Sequence, residues 1–82
     1  MLQPKEKQKM SPQDESLWFK VRIALKVDPV TEPVRDMIKI SVSRGHVTLD
    51  GTVPSAEVIE GAQRVALGVA DVIGITNNLV VA

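Results

Sequence analysis

Apolar positions change their spacing along the chain, and each change marks an element. Leu17, Trp18, Val21, Ala24 and Leu25 recur at the period of an α-helix. Ser11 can open this helix, because its hydroxyl can accept the backbone N–H three residues on. Asp14 then sits near the positive helix end. Together they resemble a capping box with Asp in place of Glu or Gln. Pro12 suits the first helical position, where no N–H is needed. The pattern predicts a helix over 12–27 that ends at Asp28-Pro29. Residues 28–36, DPVTEPVRD, hold two prolines and predict a loop.

The period then drops to two. Ile38, Ile40 and Val42 alternate with Lys39, Ser41 and Ser43, and Val47, Leu49, Gly51 and Val53 alternate with Thr48, Asp50 and Thr52. Both runs read as half-buried strands. A two-residue turn at Arg44-Gly45 pairs Ser43 with His46, Val42 with Val47, Ile40 with Leu49 and Ile38 with Gly51. Opposed residues share a face, so this register puts every apolar residue on one side. Arg is a poor turn residue because it disfavours positive φ, which leaves room for a small bulge.

A second helix starts at Pro54-Ser55, with Val58, Ala62, Val65, Ala66 and Val69 on its inner stripe. Glu60 and Arg64 are four apart and are expected to pair on its outer side. Gly61 and Gly68 lie seven apart, hence on nearly one face. Close packing against the first helix or the sheet explains them, and a partner-docking groove is the alternative. Residues 73–81 alternate again, with Ile73, Ile75, Asn77, Leu79 and Val81 on one face. A strand–helix–strand crossover is right-handed and makes the last strand parallel to the second. The predicted class is α+β with order αββαβ: two helices on one face of a three-stranded mixed sheet. The other face carries Lys39, Ser41, Ser43, Thr48, Asp50, Thr52, Thr76 and Asn78, polar and open.

Composition narrows what such a fold can do. The 82 residues suffice for one domain, and 44% are hydrophobic. Ten Lys and Arg balance ten Asp and Glu, which removes the simplest electrostatic case for binding nucleic acid. Trp18 and Phe19 are the whole aromatic complement, too few for base stacking. No cysteine is present, so disulfides and thiolate chemistry are out. Residues 1–10, MLQPKEKQKM, have no apolar core; they read as a disordered lead-in and not as a secretory signal. Residues 11–82 form the single expected domain. No apolar run is long enough for a membrane-spanning helix.

At this point the residues resemble the BON domain family. The first helix carries Asp14, Leu17, Val21, Ala24 and Leu25; the hairpin carries Val42, Gly45, Val47, Leu49, Gly51 and Val53. Ala62, Ala66 and Val69 follow on the second helix, then Val72, Ile75, Asn77 and Leu79. Asp71 departs from the pattern, since the family usually has Gly there. Asp tolerates a left-handed turn better than most residues. The resemblance implies a non-enzymatic binding module in a bacterial envelope or osmotic-stress setting, attached to phospholipid membrane surfaces. It also implies accessory roles within larger proteins. An envelope or periplasmic location goes with the first, and a cytoplasmic one with a complete chain of this length.

Specific residues can be weighed against these roles. Lys20, Arg22, Lys26 and Arg35 place positive charge toward the end of the first helix, and Phe19 looks more exposed than Trp18. Phe19, Lys20, Arg22 and Lys26 are therefore the candidate surface for anionic phospholipid, with Gly61 and Gly68 the candidate protein-docking site. The alternative function is a protein-interaction or regulatory module, monomeric or weakly dimeric. His46 stands alone without a catalytic partner and reads as a solvated turn residue. Asp28, Glu32 and Asp36 read as a solvated loop, since they lack the spacing of a calcium loop. Gly45 and Gly51 do not form a phosphate loop; the turn explains the first and close backbone approach opposite Ile38 the second. Asn77 falls on the inner face and is expected to hydrogen-bond backbone, tying the last strand to a loop. No catalytic residue, metal or cofactor is expected.

Overall fold

A computed structural model describes residues 10–82. Helix α1 spans Pro12–Val27, strand β1 Lys39–Ser43, strand β2 His46–Val53, helix α2 Ala56–Leu67 and strand β3 Gly74–Val81. The sheet order is β1-β2-β3, with β1 antiparallel and β3 parallel to the central β2. Both helices lie on one face. Leu17, Val21 and Leu25 from α1 and Val58, Ala62 and Ala66 from α2 meet Val42, Val47, Leu49, Val53 and Leu79 of the sheet. The α+β class and the αββαβ order predicted from the pattern are the observed ones.

The hairpin register is the predicted one from Ser43↔His46 through Ile40↔Leu49. Ile38 precedes the paired segment, so its expected pairing with Gly51 does not form a ladder rung. The close approach at Gly51 is real nonetheless. A side chain there would put its Cβ 2.1 Å from the Met37 carbonyl oxygen, and Gly51 has φ +139°. Only glycine fits both demands. No bulge relieves the turn. Arg44 and Gly45 both take positive φ, 54° and 83°, as a type I′ turn requires.

Asp14 explains how Arg44 is held in that conformation. Ser11 caps α1 as predicted, accepting the Asp14 N–H at 3.1 Å. The Asp14 carboxylate then reaches across to the hairpin. It accepts the Arg44 N–H at 2.8 Å and the Gly45 N–H at 3.1 Å. One side chain thereby joins the start of α1 to the β1–β2 turn. These backbone donors, the Arg44 amide foremost, hold the Asp14 carboxyl below its ordinary range against the opposing effect of burial.

Three expectations are corrected. The proline-rich stretch is not all loop: Glu32–Met37 forms a 3-10 segment, broken only by Val34 at φ −123°. Pro33 sits in its first turn, where a missing N–H costs nothing. Thr31, fully buried, donates its hydroxyl to the Leu25 carbonyl at 2.6 Å and closes the end of α1. Second, Arg64 does not pair with Glu60. It reaches Asp28 at 3.3 Å and ties α2 to the end of α1. Third, Ile73 precedes β3 and Val81 is its last residue, and both are exposed instead of facing the helices. Met10 is half-buried against the core. The rest of the predicted lead-in, residues 1–9, lies outside the described residues.

Candidate functional site

The outward side of α1 is unlike an ordinary solvated helix face. Residues at i and i+4 stack on one face. Phe19, Ile23 and Val27 follow that spacing and are 52%, 57% and 72% exposed. The inner stripe of Leu17, Val21 and Leu25 lies on the opposite side, so α1 is apolar on two sides at once. Packing explains only the inner one.

Cations flank the outer stripe. Arg22 and Lys26, four apart, border it on one side, and Lys20 borders it on the other; all three are exposed. The Arg22 guanidinium lies over the Trp18 ring, 5.4 Å from its centroid. Trp18 is half-buried and donates its indole N–H to the Ile40 carbonyl at 2.9 Å, which fixes the ring. Phe19 meets it edge-on, with centroids 5.0 Å apart at 87°. The aromatic pair thus splits as the sequence suggested, Trp18 inward and Phe19 outward. Lys20 is engaged by Asp71 at 3.4 Å, an exposed pair of little energetic weight. Arg35, also expected to add to this charge, is bound to Glu32 at 3.0 Å.

Phe19, Lys20, Arg22 and Lys26 are therefore brought together on one helix. Ile23 and Val27 complete the stripe, although sequence reading did not single them out. Their signal was the i+4 and i+8 spacing from Phe19, outside the inner stripe.

Gly61 and Gly68 do not make a common groove. Gly61 is buried, and a Cβ there would lie 2.9 Å from Val30 Cγ1, so Val30 already fills the notch. Gly68 is exposed and serves as the C-cap of α2, with φ −77° and ψ −8°. Asn77 is half-buried and does bind backbone, but on a helix and not a loop. Its amide donates to the Ile59 carbonyl at 3.1 Å and to Gln63 Oε1 at 3.2 Å, and its carbonyl oxygen accepts the Leu79 N–H at 3.1 Å.

Several further polar groups are engaged locally. His46 is exposed as expected, but it opens β2 instead of lying in the turn, and it shares a 2.7 Å hydrogen bond with Thr76 Oγ1 across the open sheet face. Asp50 accepts from Asn78 at 3.2 Å on the same face. Asp28 accepts the Val30 N–H at 2.9 Å and pairs with Arg64. The Val30 amide, opposed by desolvation and helped by Arg64, holds the Asp28 carboxyl below its usual range. Glu32 faces Arg35. Among the described residues no group of three or more His, Cys, Asp or Glu could hold a metal ion. No described helix is long and apolar enough to cross a membrane.

Among curated proteins no match to the chain is found. The family model described as the BON domain matches residues 13–82. That span holds nearly all of α1, the hairpin, α2 and β3, with Asp14, Gly45 and Gly51 in the structural positions just described. BON domains are non-catalytic, and the match supports a lipid- or membrane-binding module in general terms. By this match over most of its length, the chain belongs to the BON domain family.

Proposed function

We propose that residues 11–82 act as one module that attaches to anionic phospholipid surfaces through the outward face of α1. The carrying observation is the exposed Phe19, Ile23 and Val27 stripe bordered by Arg22 and Lys26. An amphipathic helix of this kind lies in the interface plane, its apolar stripe at the boundary of headgroups and acyl chains. Phe19 suits that depth, as aromatic rings do. Each well-placed cation adds about 1 kcal/mol near an anionic leaflet. Family membership supports an envelope or osmotic-stress setting for this attachment.

Co-sedimentation with phosphatidylglycerol-containing vesicles tests the reading. The protein is expected to pellet with anionic vesicles at low salt and not with phosphatidylcholine alone. Phe19→Ser and Ile23→Ser are each expected to weaken this without altering the fold. Failure to bind anionic vesicles at low salt overturns it.

A second reading rests on β3. It is an outer strand of eight residues, and residues 72–82 carry no charge. Charge is one of the usual means of protecting a sheet edge from added strands. This supports an accessory protein-interaction role, including weak self-association. Light scattering would then give a mass rising with concentration, and a constant single-chain mass counts against it.

A further inference from the structure

Both described non-glycine residues at positive φ, Arg44 at 54° and Asp71 at 79°, line the same cleft. The cleft has a volume of about 690 Å³ and lies between the start of α1, the β1–β2 turn and the segment entering β3. Lys20 borders both the outward stripe of α1 and the cleft, but none of Phe19, Ile23 and Val27 lines the cleft. Its apolar walls include Pro12, Leu17 and Ile73, the last 80% exposed. Its charged groups are Lys20, Arg44, Asp71 and Asp14.

The charges are not equally available. Asp14 has both oxygens occupied by the turn amides. Asp71 pairs with Lys20. Arg44 makes no ion pair within 4.0 Å among the described residues. The turn would be easier to form with glycine at position 44, where no Cβ opposes positive φ. The chain places an arginine there instead, among the residues that line a partly apolar cleft. The size falls in the range of small-molecule sites with a few convergent polar groups.

We propose that this cleft binds a single-chain amphiphile with an anionic head, the head on Arg44 beside Lys20 and the apolar chain along Pro12, Leu17 and Ile73. The Arg44 charge acts on Asp14 at longer range, but that carboxylate is already bound by the turn amides, so the guanidinium donors stay open to one anionic group. A carboxylate or a phosphate ester supplies the same chemistry, because the guanidinium fork fits either.

The test uses the full chain, with octanoate, octyl phosphate and octyltrimethylammonium as probes and amide NMR shifts as the readout. Saturable shifts at Asp14, Leu17, Arg44, Gly45 and Ile73 are expected with either anionic probe, and the tighter one identifies the head group. The cationic probe is expected to leave these amides unmoved. Arg44→Gly removes the guanidinium and suits the turn. It should weaken binding by tenfold or more while the melting temperature holds or rises, and vesicle binding should be unchanged. Arg44→Asn, which also tolerates positive φ, supplies the same comparison if the glycine variant loosens the hairpin. Equal binding of the cationic probe, shifts centred on Phe19 and Ile23, or wild-type affinity in both Arg44 variants would each overturn the proposal.

Discussion

The two helices cover the same sheet but are built differently. The inner face of α2 is made of small residues, Gly61, Ala62 and Ala66 with Val58, and its outer face carries Glu57, Glu60, Gln63 and Arg64. Leu67 is its one large exposed apolar residue, at the end. Helix α1 packs larger side chains inward, Leu17, Val21 and Leu25, and still shows Phe19, Ile23 and Val27 to solvent. Single exposed apolar residues need no explanation, but three on one helical stripe form a patch. Helix α2 is thus a packing element with a solvated back. Helix α1 has a second apolar side that the fold does not use.

Substitutions can break this contrast. The largest effect is expected inside α1. Leu25→Ala removes a side chain that is fully buried, and should cost about 2–5 kcal/mol in chemical denaturation. On α2 the sensitive direction is reversed. Ala62→Leu overfills a fully buried position and should cost about 1–3 kcal/mol. An unchanged midpoint for Ala62→Leu would mean that α2 is not packed as closely as its small residues indicate.

Acid separates the two ends of α1 next. Asp14 and Asp28 both have folded-state pKa values held below the ordinary 3.8. Stability from such groups is fully present above the unfolded value and is lost as pH falls through the folded one. Melting temperature should therefore drop below about pH 4. Asp14→Asn should lower it at neutral pH and flatten that acid limb. An acid limb as steep as wild type would show that the clamp on the turn contributes nothing to it. The smallest effect on stability is expected on the outward stripe. Ile23→Ser should change stability by no more than about 0.5 kcal/mol, as surface substitutions do. Glu60→Gln on the back of α2 should match it in stability and leave vesicle binding intact. Loss of vesicle binding in both would remove the distinction between the helices.

What the sequence disclosed followed the range of its patterns. Alternation and turn length set the hairpin register, because a one-residue slip would turn the apolar set of one strand, Ile40 and Val42 or Val47 and Leu49, to the solvent face. The helix bounds were legible from Ser11, Pro12 and Asp28. Contacts between distant residues were not. Nothing local to Asp14 signals that its carboxylate holds amides some thirty residues away. Arg64 had a plausible local partner in Glu60, and the long-range one, Asp28, prevailed. Ile73 and Val81 follow the inward parity, but parity does not say how far the helices extend over a strand. The candidate surface was half legible. Its charges and Phe19 were apparent, whereas Ile23 and Val27 were hidden beside an inner stripe of similar residues.

The parallel third strand sets how the chain passes through the domain. Asp14 touches the turn at Arg44-Gly45, and the Ile73 N–H donates to the Gly45 carbonyl at 2.9 Å. The chain therefore enters α1 at the end of the sheet where β3 begins. From there β2 and β3 run side by side, and Ala82 donates to Val53 at the far end, 2.9 Å away. Eight residues of strand span roughly 25 Å. Ser11 and Ala82 therefore stand at opposite ends of the sheet, so the two ends of the folded unit point apart instead of meeting side by side.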